Sequence, residues 1–388
     1  MRESMERGSG IRRMFEEGIN LKQKLGADNV FDLSLGNPMM EPPPEFQQEL
    51  RRLAEHPIPG MHRYMENAGY PDTRASVAEQ LQKETGVPFT LNEIVMTCGA
   101  AAGLNVVLKT ILNPGEEVII FSPYFVEYTN YVDNCGGVSR ILSTDEQFLP
   151  RLEELEKAVT PKTKAVLINS PNNPTGVVYG ESLLSGIGAL LRRKESEYGT
   201  AIFLVSDEPY RRIIYDGLKY PHIWKHHRQT IAATSHSKDL SLPGERIGYI
   251  AVNPECRDRV DVMAGLIYCN RTLGFVNAPA LMQHLMRRLQ GVSVAVAEYQ
   301  RKRDFLYRHL TEAGYSLVKP QGAFYMFPRS LIPDDAAFVR ELLQWGVLTV
   351  PGRAFGSPGH FRIAYCVDDR TIEGSIRGFR EAGRKFKH

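Results

Sequence analysis

Lys238 lies in Ser235-His236-Ser237-Lys238, eight residues before Arg246 and thirty-one after the Asp207 of Ser206-Asp207-Glu208-Pro209-Tyr210. The three side chains supply an amine, an anion and a phosphate-binding cation. An amine can form a Schiff base with an aldehyde, and a carboxylate beside a pyridine nitrogen keeps the ring protonated and able to accept electrons. Those are the requirements for holding pyridoxal phosphate.

Asp207 follows the apolar run Ile202-Phe203-Leu204-Val205, and Lys238 follows Ile231-Ala232-Ala233. Both therefore fall at the carboxyl ends of predicted strands, where open α/β sheets bind their ligands. A lysine buried there must lose its proton or find a partner, and a covalent bond to an aldehyde solves the problem. The anion has candidate donors as well. Gly99-Ala100-Ala101 stands at a strand-to-helix junction, whose free N–H groups and small side chains admit a phosphate, although an ordinary βα turn would read the same. Ser235, Ser237 and Arg246 add hydroxyls and a guanidinium suited to bidentate phosphate contacts.

The elements that must position these groups alternate. Between residues 94 and 253, runs at Ile94-Met96, Val118-Phe121, Ala165-Ile168, Ile202-Val205, Ile231-Ala233 and Tyr249-Val252 are separated by helical patterns. One such helix carries Leu104, Val107, Leu108, Ile111 and Leu112 on a single stripe. This is the signature of an α/β layer fold around a mostly parallel, buried sheet. An amphipathic helix is expected over residues 8–26, then an extended Phe31-to-Leu35 segment, interrupted by Gly36-Asn37-Pro38 and Pro42-Pro43-Pro44. After about residue 275, longer helices (278–289 and 295–311) precede short strands at 316–318, 323–327 and 361–364 and a final helix marked by Ile372, Ile376 and Phe379. That texture predicts a smaller α+β domain.

Composition narrows the function classes. The 388 residues, 43% hydrophobic and 24% charged with a net charge of +2, fit a two-domain globular protein. No basic run is longer than Arg192-Arg193-Lys194, which reads as a solvated helix face, and no basic patch or helix-turn-helix points to nucleic acid. No apolar stretch has the length of a signal peptide or membrane span, so a cytoplasmic location is expected. Five scattered cysteines without a C-x-x-C pair predict neither disulfides nor zinc, and His222, His226 and His227 lack the companions of a metal site. No G-x-G-x-x-G follows the first strand, which argues against a nicotinamide dehydrogenase.

Further strings extend the pattern: Ser34-Leu35-Gly36-Asn37-Pro38, Tyr64 with Gly69-Tyr70-Pro71, Ser122-Pro123-Tyr124-Phe125, Asn169-Ser170-Pro171-Asn172-Asn173-Pro174-Thr175-Gly176 and Phe361-Arg362-Ile363. With the Asp207 and Lys238 strings they follow one order from residue 34 to 364, and the chain resembles the fold-type I pyridoxal-phosphate aminotransferases of class I/II, the aspartate-aminotransferase-like group. The resemblance implies a large domain with a seven-stranded, mostly parallel sheet between helices (residues 46–275), a smaller α+β domain (276–388) and an N-terminal arm joined to it (1–45). It also implies ping-pong transfer of an amino group between an L-amino acid and a 2-oxo acid through a Lys238 Schiff base. In that scheme Asp207 pairs with the pyridine nitrogen, Asn173 and Tyr210 contact the phenolic oxygen, and Phe125 stacks on the ring face. Arg362 and the Gly36 backbone take the substrate α-carboxylate, with Asn173 beside them. A homodimer with shared sites follows, in which Tyr64 reaches the phosphate in the partner subunit. Arg271 is offset by three positions from the family's side-chain arginine, so it reads either as a ligand for a distal carboxylate or as a surface or dimer-contact residue. Relatives on this fold cleave C–S bonds or close an aminocyclopropane ring, and a few serve as non-catalytic sensors; the cofactor residues alone do not separate the two enzyme classes from transamination.

Overall fold

The computed structural model describes residues 17, 18, 23 and 26–386. The helix expected over residues 8–26 lies outside the described residues except at 17, 18 and 23, which are helical, and at Gly26. A short strand β1 (Phe31–Asp32) leads to a helix, Pro44–Glu55, that begins at the last of the three prolines. Proline is favoured there because the first helical N–H has no partner in any case.

Seven strands form the central sheet: β2 (Ile94–Thr97), β3 (Glu117–Ser122), β4 (Val138–Ser143), β5 (Thr163–Asn169), β6 (Phe203–Asp207), β7 (Thr230–Ser235) and β8 (Gly248–Val252). Their spatial order is β2-β8-β7-β6-β5-β3-β4, and only β8 runs antiparallel to its neighbours. Side chains alternate between the two faces with the strand period of two. Ile94, Met96, Ile119, Phe121, Val166 and Leu204 join one core with the helix Glu181–Tyr198, while Val95, Val118, Ile120, Leu167, Val205 and Ile231 join the other with the helix Ala100–Ile111. The stripe from Leu104 to Leu112 is buried in that second core.

A third core gathers Leu33 from the N-terminal segment with Leu306, Phe338, Phe361 and Phe379. It lies among the helices Val296–Glu312, Asp335–Gln344 and Asp369–Phe386 and a small antiparallel sheet. Strands β9 (Tyr325–Met326), β10 (Val347–Leu348), β11 (Val350–Pro351) and β12 (Phe361–Ala364) complete the chain, with β12 between β11 and β9 and with β10 paired to β1.

Three expectations change. The strand β4 was not legible, because its side chains, unlike those of the other edge strand β2, are largely exposed and form no apolar run. Residues 316–318 form no strand, and the segment expected to be one has a backbone bond from the Arg329 N–H to the Ser316 carbonyl at 2.9 Å in place of a ladder. The helix expected over 278–289 is Ala280–Met286, and its apolar side chains Met282, Leu285 and Met286 pack in the core of the large sheet.

Candidate active site

All six parallel strands of the large sheet end on one edge, and β8 begins there, since Gly248 pairs with both Thr97 and Ser235. Lys238 stands on the single helical turn His236–Asp239 after β7, capped by the Ser235 hydroxyl, which accepts from the Ser237 N–H at 3.0 Å. Its Nζ donates to the Gly36 carbonyl at 2.7 Å and lies 5.6 Å from the centre of the Phe324 ring. Burial lowers the amine to about 8; the nearby Cys366 thiol opposes the shift, and the positive charges of Arg362 and Arg246 add to it. A depressed lysine of this kind is neutral often enough to act as a nucleophile and a base.

Asp207 closes β6, in register with Asn169 of β5 and Ala233 of β7. The Asn169 amide donates to its carbonyl at 2.9 Å. One carboxylate oxygen, Oδ2, accepts from the Tyr128 hydroxyl at 2.5 Å, while the other, Oδ1, is buried with no hydrogen-bond partner among the described residues. Burial pushes this carboxyl up to about 7, against the pull of the Tyr128 hydrogen bond and with a further push from Glu208. A buried, half-satisfied carboxylate is costly unless a cation or N–H arrives to meet it.

At the end of the site nearest the helix Ala100–Ile111, Gly99 has φ +85° and Arg246 has φ +49°. The Arg246 guanidinium donates to the carbonyls of Pro243 at 2.9 Å and Cys98 at 3.3 Å, and a Cβ on Gly99 would come within 3.0 Å of it. Glycine there opens the approach to the helix N-terminus, where Ala100 and Ala101 line the cavity. The Ser235 and Ser237 hydroxyls bond each other at 2.7 Å.

The opposite wall comes from distant segments. Arg362 is buried on β12, with Nη1 donating to Asn173 Oδ1 at 3.1 Å and Nη2 to the Ser34 carbonyl at 2.6 Å. Its guanidinium lies 4.8 Å from the Tyr325 ring centre and 4.7 Å from that of Phe355, and its Nε has no partner among the described residues. Burial lowers its proton affinity, and Tyr325 and Tyr210 work against the shift. The Tyr325 and Tyr210 hydroxyls share a hydrogen bond of 2.9 Å. A Cβ on Gly36 would collide with the Tyr325 hydroxyl, so this segment can approach only as glycine.

Between the walls is a cavity of about 310 Å³ bordered by Lys238, Asp207, Phe125, Tyr210, Asn173 and Arg362 among others. It fits pyridoxal phosphate on the structure's own terms: an amine with lowered proton affinity, a buried carboxylate oxygen lacking a partner among the described residues, and a helix N-terminus capped by Gly99 beside an arginine. Of the residues singled out in the sequence, Tyr64 and Arg271 are not brought here. Tyr64 is 90% exposed, and Arg271 is exposed in the last turn of the helix Arg259–Thr272, its guanidinium 5.6 Å from the Tyr268 ring. Tyr128, Tyr131, Tyr325 and Asn169 went unread in the sequence as site residues. Asn169 was recoverable from its place at the end of a predicted strand, whereas the tyrosines looked like ordinary aromatic core.

A family model described as aminotransferase class I and II matches residues 28–378. The chain is 32% identical over 370 residues to a probable aspartate/prephenate aminotransferase of Thermus aquaticus, covering 94% of each. It is 33% identical over 365 residues to the aspartate/prephenate aminotransferase of Thermus thermophilus, covering 92% of this chain and 91% of that one. Among solved structures, an aminotransferase from Eubacterium rectale superposes with a TM-score of 0.95 at 38% identity, covering 98% of this chain and 96% of that one. The aspartate aminotransferase of Thermus thermophilus with maleate superposes with a TM-score of 0.86 at 29% identity, covering 96% of each.

Proposed function

The chain belongs to the class I and II aminotransferases and is a pyridoxal-phosphate-dependent aminotransferase, and on that premise we propose which residues carry the reaction and what they act on. Its substrates are amino acids and 2-oxo acids. When bound, pyridoxal phosphate supplies an aldehyde that condenses with amines and a protonated ring that takes up the electrons left on the substrate carbon.

Lys238 would hold the cofactor through Nζ, and the same amine, when not so engaged, would be the base for the proton on the substrate Cα. Asp207 meets the ring nitrogen with Oδ1. Phe125 packs on the ring face, and Asn173 and Tyr210 donate to the phenolic oxygen. Gly99, Ala100, Ala101, Ser235, Ser237 and Arg246 hold the phosphate, joined by Tyr64 of the partner subunit in a homodimer. Arg362 takes the α-carboxylate beside the Gly36 backbone and Asn173, which orients the breaking bond across the ring. The observation that carries this reading is the buried Asp207 Oδ1, without a hydrogen-bond partner among the described residues, in the same cavity as the Lys238 amine.

Relatives named for aspartate and prephenate act on molecules with two carboxylates, and Arg271 of the partner subunit is our candidate for the distal one. We place the enzyme in the cytoplasm; among the described residues no helix is long and apolar enough to cross a membrane. We propose a division into an arm (1–45), a large domain and a small domain, with the boundary at about 290 rather than 275 because Met282, Leu285 and Met286 belong to the large core.

A panel of amino donors and oxo-acid acceptors, with the bound cofactor's absorbance followed in half-reactions, tests the assignment. Aspartate or glutamate with 2-oxoglutarate or oxaloacetate should turn over, and Lys238→Ala should lose both the covalent absorbance and turnover. Near-normal transamination by that variant overturns the role of Lys238. Release of pyruvate and ammonia from cystathionine without an acceptor would make the enzyme a lyase instead.

A further inference from the structure

The carboxylate of Asp207 divides its two oxygens between different surroundings. Oδ2 is held at 2.5 Å by the hydroxyl of Tyr128, a residue only 1% exposed at the start of the short helix Tyr128–Asn134. Oδ1 has no partner. The Tyr128 ring is fixed edge-on against Phe125, with centres 5.5 Å apart, and its N–H bonds the Phe125 carbonyl at 3.1 Å. The Asp207 backbone is clamped between β5 and β7. With the backbone set by the sheet, the Tyr128 hydrogen bond is what remains to set the rotation of the carboxylate.

We propose that Tyr128 is a positioning residue for transamination: it holds Oδ2 of Asp207 so that Oδ1 faces the ring nitrogen, and it keeps the proton shared by that pair on the nitrogen. The inference rests on the reading that Asp207 pairs with the cofactor ring. A donor to one carboxylate oxygen makes the carboxylate the weaker base of the two partners, so the proton stays where the ring needs it to accept electrons. Deleting the donor makes Asp207 more basic in a site where burial already favours its neutral form. The proton then moves to Oδ1. Other groups facing this carboxylate do not replace Tyr128: Glu208 raises its proton affinity further, the Tyr210 hydroxyl is engaged with Tyr325, and the half-buried Tyr131 has its phenol held protonated.

The test uses holoenzyme reconstituted with pyridoxal phosphate labelled with ¹⁵N in the ring. In the unsubstituted enzyme the nitrogen signal should be that of a protonated ring. In Tyr128→Phe it should move toward the unprotonated value, with kcat about tenfold or more lower, the effect of one hydrogen bond to a charged group, and with KM changed less. Should that variant fail to fold, 3-fluorotyrosine at position 128 keeps the shape and strengthens the donor, and it should move the signal the opposite way. An unchanged nitrogen signal in Tyr128→Phe, accompanied only by a lower Tm, would make Tyr128 a packing residue and overturn the proposal. Asp207→Asn serves as the control: if its ring nitrogen stays protonated, the pairing of Asp207 with the ring is what fails.

Discussion

Lys238 and Asp207 reach the cavity from neighbouring strands of one sheet, whereas Arg362 and the Ser34 carbonyl it holds are 328 residues apart, in segments joined by that side-chain bond and by isolated backbone bonds such as Ala364 N–H to the Leu33 carbonyl at 2.8 Å. On the sheet side, geometry is set by the backbone ladder. Exchanging a side chain there should change chemistry and leave the framework intact. On the opposite side, the Tyr210–Tyr325 hydrogen bond, the stacking of Arg362 between Tyr325 and Phe355, and the missing Cβ of Gly36 are the geometry. Exchanging a side chain there should move the wall.

The largest effect that would sharpen this contrast is expected from Asp207→Ala. Loss of the charge should lower kcat by about 10³-fold, the upper range for one preorganised electrostatic contact. The cofactor-free protein should keep or raise its Tm, because a buried, half-satisfied acid has been removed. A large fall in Tm, measured by calorimetry, would break the contrast.

Gly36→Ala comes next, with KM for every amino donor expected to rise about tenfold, the effect of one disturbed charge-assisted contact, and with a lower Tm. Tyr325→Phe removes the nearest colliding atom and leaves the ring carbon at 2.8 Å, so the double variant should recover part of the loss. Additive effects in that cycle would mean the two residues do not share a wall.

The smallest effect is on pH dependence. In the cofactor-free protein, folding lowers Lys238 from 10.5 to about 8. Between those values the unfolded chain holds a proton that the folded chain has released, so this group makes stability rise with pH. Asp207, raised from 3.8 to about 7, keeps a proton the unfolded chain has lost and makes stability fall with pH across that lower window. The Tm advantage of Lys238→Ala over the parent should therefore be greatest below pH 8 and shrink toward 10.5; a gap independent of pH would show that the amine is not buried as described.

The same contrast explains what was legible in the sequence. Residues that follow fully buried parallel strands, such as Asp207 and Lys238, announce themselves, because β-branched runs mark the strand and its end marks the site edge. The role of Arg362 came from resemblance alone, since nothing local to β12 points to Ser34 or Asn173. Tyr128 is 79 residues from its partner Asp207, in a seven-residue helix too short to show a period, so its hydroxyl carried no signal. The strand β4 hid for the opposite reason, as its half-exposed side chains lack the continuous apolar run of the interior strands.

One reversed strand has a consequence for evolution and engineering. Because β8 returns alongside β7 in the opposite sense, residues 236–247 turn back at the same sheet edge without crossing a face, and that single loop carries both the amine and Arg246. Lengthening it would pull the tether and the anion grip apart together. Diversification of this scaffold is therefore channelled to the far wall, where segments from both termini meet and can be exchanged without unhitching the vitamin.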